Sequence, residues 1–365
     1  MYNYVLIFFI FATACFAQTE VEGEVSGVWT QEGSPYLVLG NIIVPQDQIL
    51  TIEPGVTVSF ESEYDSIKVF GSFQALGSER DSIIFQSNDF WFRGIFQFST
   101  DTLRLSYCDF SRCNNWRLYI RVEQAPLVIS GCWIKNCWIN SGPDNWFLEI
   151  TDSEVMSIDN YTTGVLRLFG NNLLGSIDFG RNSIMSGNTG EPRINIGAYG
   201  DNSIIVDNFF TGGSIRSSTP RNFRMEQNHL EMNVQLGGNP GEGNNVSVID
   251  NDIFGKLSIS SCSETVISGN RIYSRGWSSN NAIAISGNAN LTIERNLLSS
   301  ITTDGRGDII IRNNTFVPWG HTDYALHHDS DAVLDFYNNI IYGDGDCAIV
   351  KSRREREASI HHNLY

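Results

Sequence analysis

The chain has 365 residues, 41% hydrophobic and 18% charged, with 33 glycines, 9 prolines and a formal net charge of −17. No stretch of helical period is long enough for a separate helical domain, so one long domain is the economical reading. Phosphate binding needs clustered Lys and Arg, and the acidic balance therefore excludes a nucleic acid or an anionic membrane as the expected partner.

Residues 1–17 read as a secretory signal, with an apolar core from Val5 to Phe11 and small residues ending at Ala17. That core is too short for a stable membrane span, so the mature chain, 18–365, is expected to have none. A rival reading makes Ala12-Thr13-Ala14-Cys15 a degenerate acylation site, with the protein lipid-anchored through Cys15. Either way the expected location is secreted or cell-surface. Residues 26–60 are the expected N-terminal first coil, on the segment Gly27-Val28-Trp29, Gly40-Asn41-Ile42-Ile43-Val44-Pro45 and Leu50-Thr51-Ile52-Glu53-Pro54-Gly55-Val56-Thr57-Val58, which enters the resemblance described below.

From residue 83 onward one phrase recurs, as in Ile83-x-Phe85-x-x-Asn88-x-Phe90, Val246-x-Val248-x-x-Asn251-x-Ile253 and Leu334-x-Phe336-x-x-Asn339-x-Ile341. Its marked position falls at 88, 108, 132, 153, 171, 188, 208, 228, 251, 270, 296, 314, 339 and 363, and is Asn except at Cys108, Cys132 and Ser153. The mean step is about 21 residues, which is the signature of a solenoid. Apolar residues alternate within each step, so the runs are strands with one face buried. A strand before the phrase, the phrase itself and a third strand after the Asn make one three-sided lap.

The fold class expected is therefore all-β: a right-handed parallel β-helix of about 15 coils with an Asn ladder. The Asn suits a tight corner because it tolerates left-handed backbone angles and its amide can bond the Asn one coil above and below. A leucine-rich horseshoe would need an LxxLxL frame, and a propeller antiparallel hairpins; neither fits as well.

Six cysteines follow the leader. Cys108 and Cys132 share a 24-residue offset with Cys113 and Cys137, which puts each pair on neighbouring coils. Parallel side chains suit the S–S dihedral poorly, so free stacked thiols are expected at the ladder pair, and a Cys113–Cys137 bridge is left open.

With the opening segment, the Asn phrases make nearly the whole mature chain resemble the secreted bacterial right-handed β-helix repeat proteins of pectate-lyase-like architecture. The resemblance implies export and relatives that bind, and sometimes cleave or epimerise, acidic polysaccharides. Such proteins often end in a compact sorting domain, whereas this sequence stops inside a repeat phrase. An open strand edge there implies a longer native protein or a covering subunit.

In β-helix polysaccharide enzymes the substrate lies along one sheet, which directs attention to the outward residues of the first strand of each coil. These read Tyr119, Ser157, Asp178, Asn195, Arg216, Gln235, Ser258 and Ala284. Asp178 and Arg216, about 10 Å apart, are the candidate catalytic acid and base, against ordinary solvent-facing polarity. Candidate sugar-binding residues are Tyr119, Asn195 and Gln235 with Trp116, Trp138, Trp277 and Trp319, whose indoles fall in the same corner of different coils. His321, Asp323, His327 and Asp329 are the candidate metal ligands, although they straddle one short strand. A lyase would add Ca²⁺, but no dense acidic group lies on the strip.

Arg306-Gly307-Asp308 spells an adhesive tripeptide that a turn explains better. The function expected is a glycan-binding or adhesive module; a polysaccharide lyase or glycoside hydrolase, and a structural spacer, are the alternatives.

Overall fold

A computed structural model describes residues 18–365 apart from 62–64, 88–91, 114–117, 142–146, 160–163, 198–199, 219–220, 239–244, 274–281, 289, 318–323, 330, 344–347 and 352–357. Residues 1–17 with Cys15, Asn88, and Trp116, Trp277, Trp319, His321 and Asp323 lie outside the described residues. The phrase expected at 83–90 is not a lap of the ladder: Ile83 pairs with Cys108 itself, and the strand below Leu105 is Ser72–Leu76, so the insertion between Leu76 and Ile83 displaced that reading by one strand.

Every described strand pairing is parallel, and the chain winds as a β-solenoid with no α-helix among the described residues. The lap around Asn188 shows the plan. Ser176–Phe179 lies on a first face, Ile184–Ser186 on a second, and the two residues Thr189–Gly190 on a third. Each pairs with its counterpart one lap on: Arg193–Ile196, Ile204–Val206 and Phe209–Phe210.

The second face alone stacks sixteen strands, from Gly27–Trp29 to Ala358–His361. Period-two alternation sends one set of side chains inward on every face. Ile177, Phe179, Met185, Ile194, Ile196 and Ile205 are all buried, and one continuous core runs the length of the stack. Each such Ile or Leu contributes about 1.5–3 kcal/mol against exposure.

The corner between second and third faces carries the ladder. Backbone N–H of Asn171 donates to Oδ1 of Asn188 at 2.9 Å, Asn188 to Asn208 at 3.0 Å, Asn208 to Asn228 at 3.0 Å and Asn228 to Asn251 at 3.0 Å. The file continues through Asn270, Asn296, Asn314 and Asn339 to Asn363. Each Nδ2 also donates to a carbonyl of the preceding lap, as Asn228 does to Ile205 at 2.9 Å.

The non-Asn rungs keep the same bonds. Cys108 N–H donates to Cys132 Sγ at 3.3 Å, Cys132 N–H to Ser153 Oγ at 3.0 Å, and Ser153 N–H to Asn171 Oδ1 at 3.0 Å. Both thiols point back at carbonyls of the preceding lap, Cys108 at Ala75 and Cys132 at Leu105. A thiol stands here where an amide stands elsewhere.

Two further expectations are corrected. The left-handed angle belongs to the residue before each rung and not to the rung: Tyr107, Gly131, Asp152, Gly170, Gly187, Asp207, Gln227, Asp250, Gly269, Arg295, Asn313, Asn338 and His362 all have positive φ. The turn residue bends the chain, which frees the rung to aim its amide inward.

The equal cysteine offset also misleads. Cys108 does stack on Cys132, since the adjacent Asp109 pairs with Trp133, but Cys137 is in register with Leu118. Cys113 is a free buried thiol donating to Phe85 O at 3.2 Å. The one strand Trp133–Ser141 pairs with two on the lap below, Cys108–Arg112 and Leu118–Val122, so equal spacing in sequence is unequal spacing in space.

Candidate functional site

The first face carries two outward columns that alternate with the buried residues. One contains Asp178, Asn195, Arg216, Gln235, Ser258 and Ala284 on successive laps. The other, two residues earlier on each strand, contains Ser176, Arg193, Ser214 and Asn233. Lys256 extends it, its N–H donating to Asn233 Oδ1 at 2.9 Å.

Between the columns lies an open groove of about 780 Å³, lined by Ser176, Arg193, Asn195, Ser214, Arg216, Asn233, Gln235, Lys256 and Ser258 together with backbone at Gly213, Ile215 and Val234. The lining holds three cations and no carboxylate. Among the described residues none of Arg193, Arg216 and Lys256 is ion-paired, whereas Arg224 is held by Glu226 and Arg312 by Glu294 on the second face.

Local sequence explains the shape. Gly180, Gly197, Ser218, Gly237 and Ser260 follow the strands at one aligned position, and none of these side chains is larger than a serine. Gly213 has φ +97, and a Cβ there would lie 1.9 Å from the Pro192 carbonyl oxygen. Only glycine lets the two laps close at that edge of the groove.

Asn195 sits at the lower rim, its Nδ2 donating to Asp178 Oδ1 at 2.9 Å and to Ser176 Oγ at 3.2 Å. Asp178 and Arg216 share a column but stand two laps apart with Asn195 between them. The groove therefore offers charge and hydrogen bonds along a line: amides at Asn195, Asn233 and Gln235, hydroxyls at Ser176, Ser214 and Ser258, and cations at intervals. Such a surface suits an extended ligand bearing carboxylates or other anionic groups among many hydroxyls.

The structure brings together Asn195, Arg216 and Gln235 of the residues singled out from sequence, with Asp178 beside them. Tyr119 and Ser157 do not belong to that column: Tyr119 pairs with Trp138 and Trp138 with Ser157, in the register of Ser176. Arg121, Asn140 and Asp159 occupy the column of Asp178 instead. Trp138 has its backbone in Trp133–Ser141, well below the groove, and its side chain is outside the described residues.

His327 pairs with Thr302 on the first face. The next residue, His328, turns inward and its Nδ1 lies 2.7 Å from Thr303 Oγ1. Asp329 follows the strand, and among the described residues no three His, Cys, Asp or Glu side chains gather to hold a metal ion.

Arg193 and Lys256 were not foreseen. The available signal was alternation itself: Arg193 lies two residues before Asn195, so it shares its face.

No protein-family model, no curated protein and no solved structure matches this chain.

Proposed function

We propose that the protein is a secreted or surface-attached binding module whose first-face groove takes an acidic glycan. One observation carries the reading: in a chain of net charge −17, an open groove of about 780 Å³ collects Arg193, Arg216 and Lys256 with no carboxylate in its lining. Three cations with no ion-pair partner among the described residues, amid such an excess of acid, make an anion their complement. The amides and serines interleaved with them favour a sugar polymer over a simple anion, because each repeats along the axis at the lap spacing of about 4.8 Å. The leader sequence supports export, and no helix among the described residues is long and apolar enough to cross a membrane.

The test is direct binding of the purified mature chain to polygalacturonate, alginate and hyaluronan, with uncharged dextran as control. The uronate polymers are expected to bind and dextran not to. Arg216→Ala is expected to weaken binding by about 10-fold, the loss of one charge-assisted contact. Equal binding to dextran, or no loss in either Arg216→Ala or Lys256→Ala, would refute the reading.

A further inference from the structure

Below the groove, toward the N-terminus, the same face changes character. Phe70 and Phe98, on adjacent laps, stack at 5.0 Å with rings 14° apart and remain 45% and 36% exposed. Phe96, two residues before Phe98, lies under the guanidinium of Arg93 at 5.7 Å, and Lys68 pairs with Phe96 on the lap below. Phe60, Phe73, Phe85, Phe92 and Phe110 around them are fully enclosed, and the other exposed phenylalanine among the described residues, Phe209, is covered on one side by His229. Two large rings left in solvent beside cations call for a ligand.

The column decides which ligand. Phe96 pairs with Arg121, Arg121 with Asn140 and Asn140 with Asp159. Asp159 adjoins the paired Ile158 and Ile177, which brings the column to Asp178, then Asn195 and Arg216. The aromatic platform and the cationic groove are thus two stations on one straight track, six laps or about 29 Å apart.

Resting on the glycan reading above, we infer that Phe70, Phe98 and the Arg93–Phe96 pair form a second subsite for the same acidic polysaccharide, which stacks a sugar ring on the phenyl groups while Lys68 and Arg93 meet its carboxylates. The two subsites are separated by the acidic positions Asp159 and Asp178, which an anionic chain crosses without being held. The site is therefore bivalent and selects for length. A short oligomer occupies one station, and a chain long enough to reach both gains avidity from the tether between its own ends.

The experiment measures affinity for size-fractionated polygalacturonate from trimers upward, for the wild type, Phe70→Ala/Phe98→Ala, Lys68→Glu and Arg216→Ala/Lys256→Ala, each confirmed folded by circular dichroism. The wild type is expected to show a step of about 100-fold once the chain spans both stations. Phe70→Ala/Phe98→Ala and Lys68→Glu are expected to abolish the step while leaving trimer binding in the groove intact. A wild type without a step, or a step that persists in both platform variants, overturns the second subsite and leaves the groove standing. Wild-type binding in Arg216→Ala/Lys256→Ala instead removes the groove reading itself.

Discussion

A single rung of the ladder makes bonds in three directions. Asn228 accepts from the N–H of Asn208, donates to Ile205 O at 2.9 Å and donates to Asn251 Oδ1 at 2.8 Å. All of these groups are buried, so truncation strands several polar atoms at once. Asn228→Ala is expected to cost roughly 3 kcal/mol, read as a fall in the denaturant midpoint, because each orphaned buried group costs about 1–3 kcal/mol. An exposed side-chain bond on extended backbone, Asn195 to Asp178, is the control, and Asn195→Ala should change stability far less.

The residue before the rung makes a separate contribution. Gln227 is held at φ 55. Gln227→Gly is expected to raise stability by about 1 kcal/mol, since a side chain in left-handed backbone costs that much. A destabilisation on thermal unfolding would show that Gln227 contributes contacts that outweigh its strain. The rung was legible in sequence because one residue type repeats in one phrase. Its neighbour was not, because Gly, Asp, Asn, Gln, Arg, Tyr and His all fill the turn position, and a conformation shared by unlike residues leaves no pattern of letters.

At the level of strands, the inward columns were readable from alternation and the outward ones only in part. The phrase fixes the second face lap by lap, so the apolar positions from Leu105 to Ile360 align as expected, whereas Phe85, read as the first of them, pairs with Val58 on the third face and Ala75 stands below Leu105. First-face strands sit at variable distances from it, and the insertions that set those distances shift register by whole residues. Tyr119 and Ser157 were placed in the wrong column for that reason, and Cys137 opposite the wrong partner.

The thiols on these strands provide a test of how tightly the laps pack. Burial pushes the Cys262 thiol up to about 11 from its ordinary 9.0, with Thr265 and the Ser260 carbonyl pulling in the other direction. Burial likewise raises Cys108 and Cys113. A raised folded-state value favours the neutral thiol, so this contribution is whole below pH 9 and is lost as pH climbs through the folded value. The unfolding midpoint is expected to fall between pH 9 and 11, and to fall less in Cys262→Ala after correction for its lower starting stability. An unchanged pH profile in that variant would mean that the Cys262 thiol titrates freely in the native state.

Across the whole molecule, charge is distributed by face. Carboxylates on the second face neutralise its arginines between laps: Glu149 lies 3.7 Å from Arg167 and Glu294 2.8 Å from Arg312. On the first face Arg193, Arg216 and Lys256 have no such partners among the described residues, and that contrast is what the net charge conceals. Composition made a nucleic acid an unexpected partner on bulk acidity, and the same bulk acidity hid a local cationic groove, because a sum over 365 residues carries no information about which side of a lap each residue occupies. Fold was therefore far more legible than site: repeats announce themselves by recurrence, whereas Arg193, Arg216 and Lys256 recur at no fixed interval and meet only after winding.

The most direct measurement is the affinity of the mature chain for polygalacturonate as a function of salt, alongside a variant in which Arg193, Arg216 and Lys256 are all changed to Gln. A groove that meets a polyanion through those cations predicts wild-type affinity that falls steeply as salt rises, and a variant that binds weakly with little dependence on salt. Wild-type and variant curves that coincide at every salt concentration would contradict it.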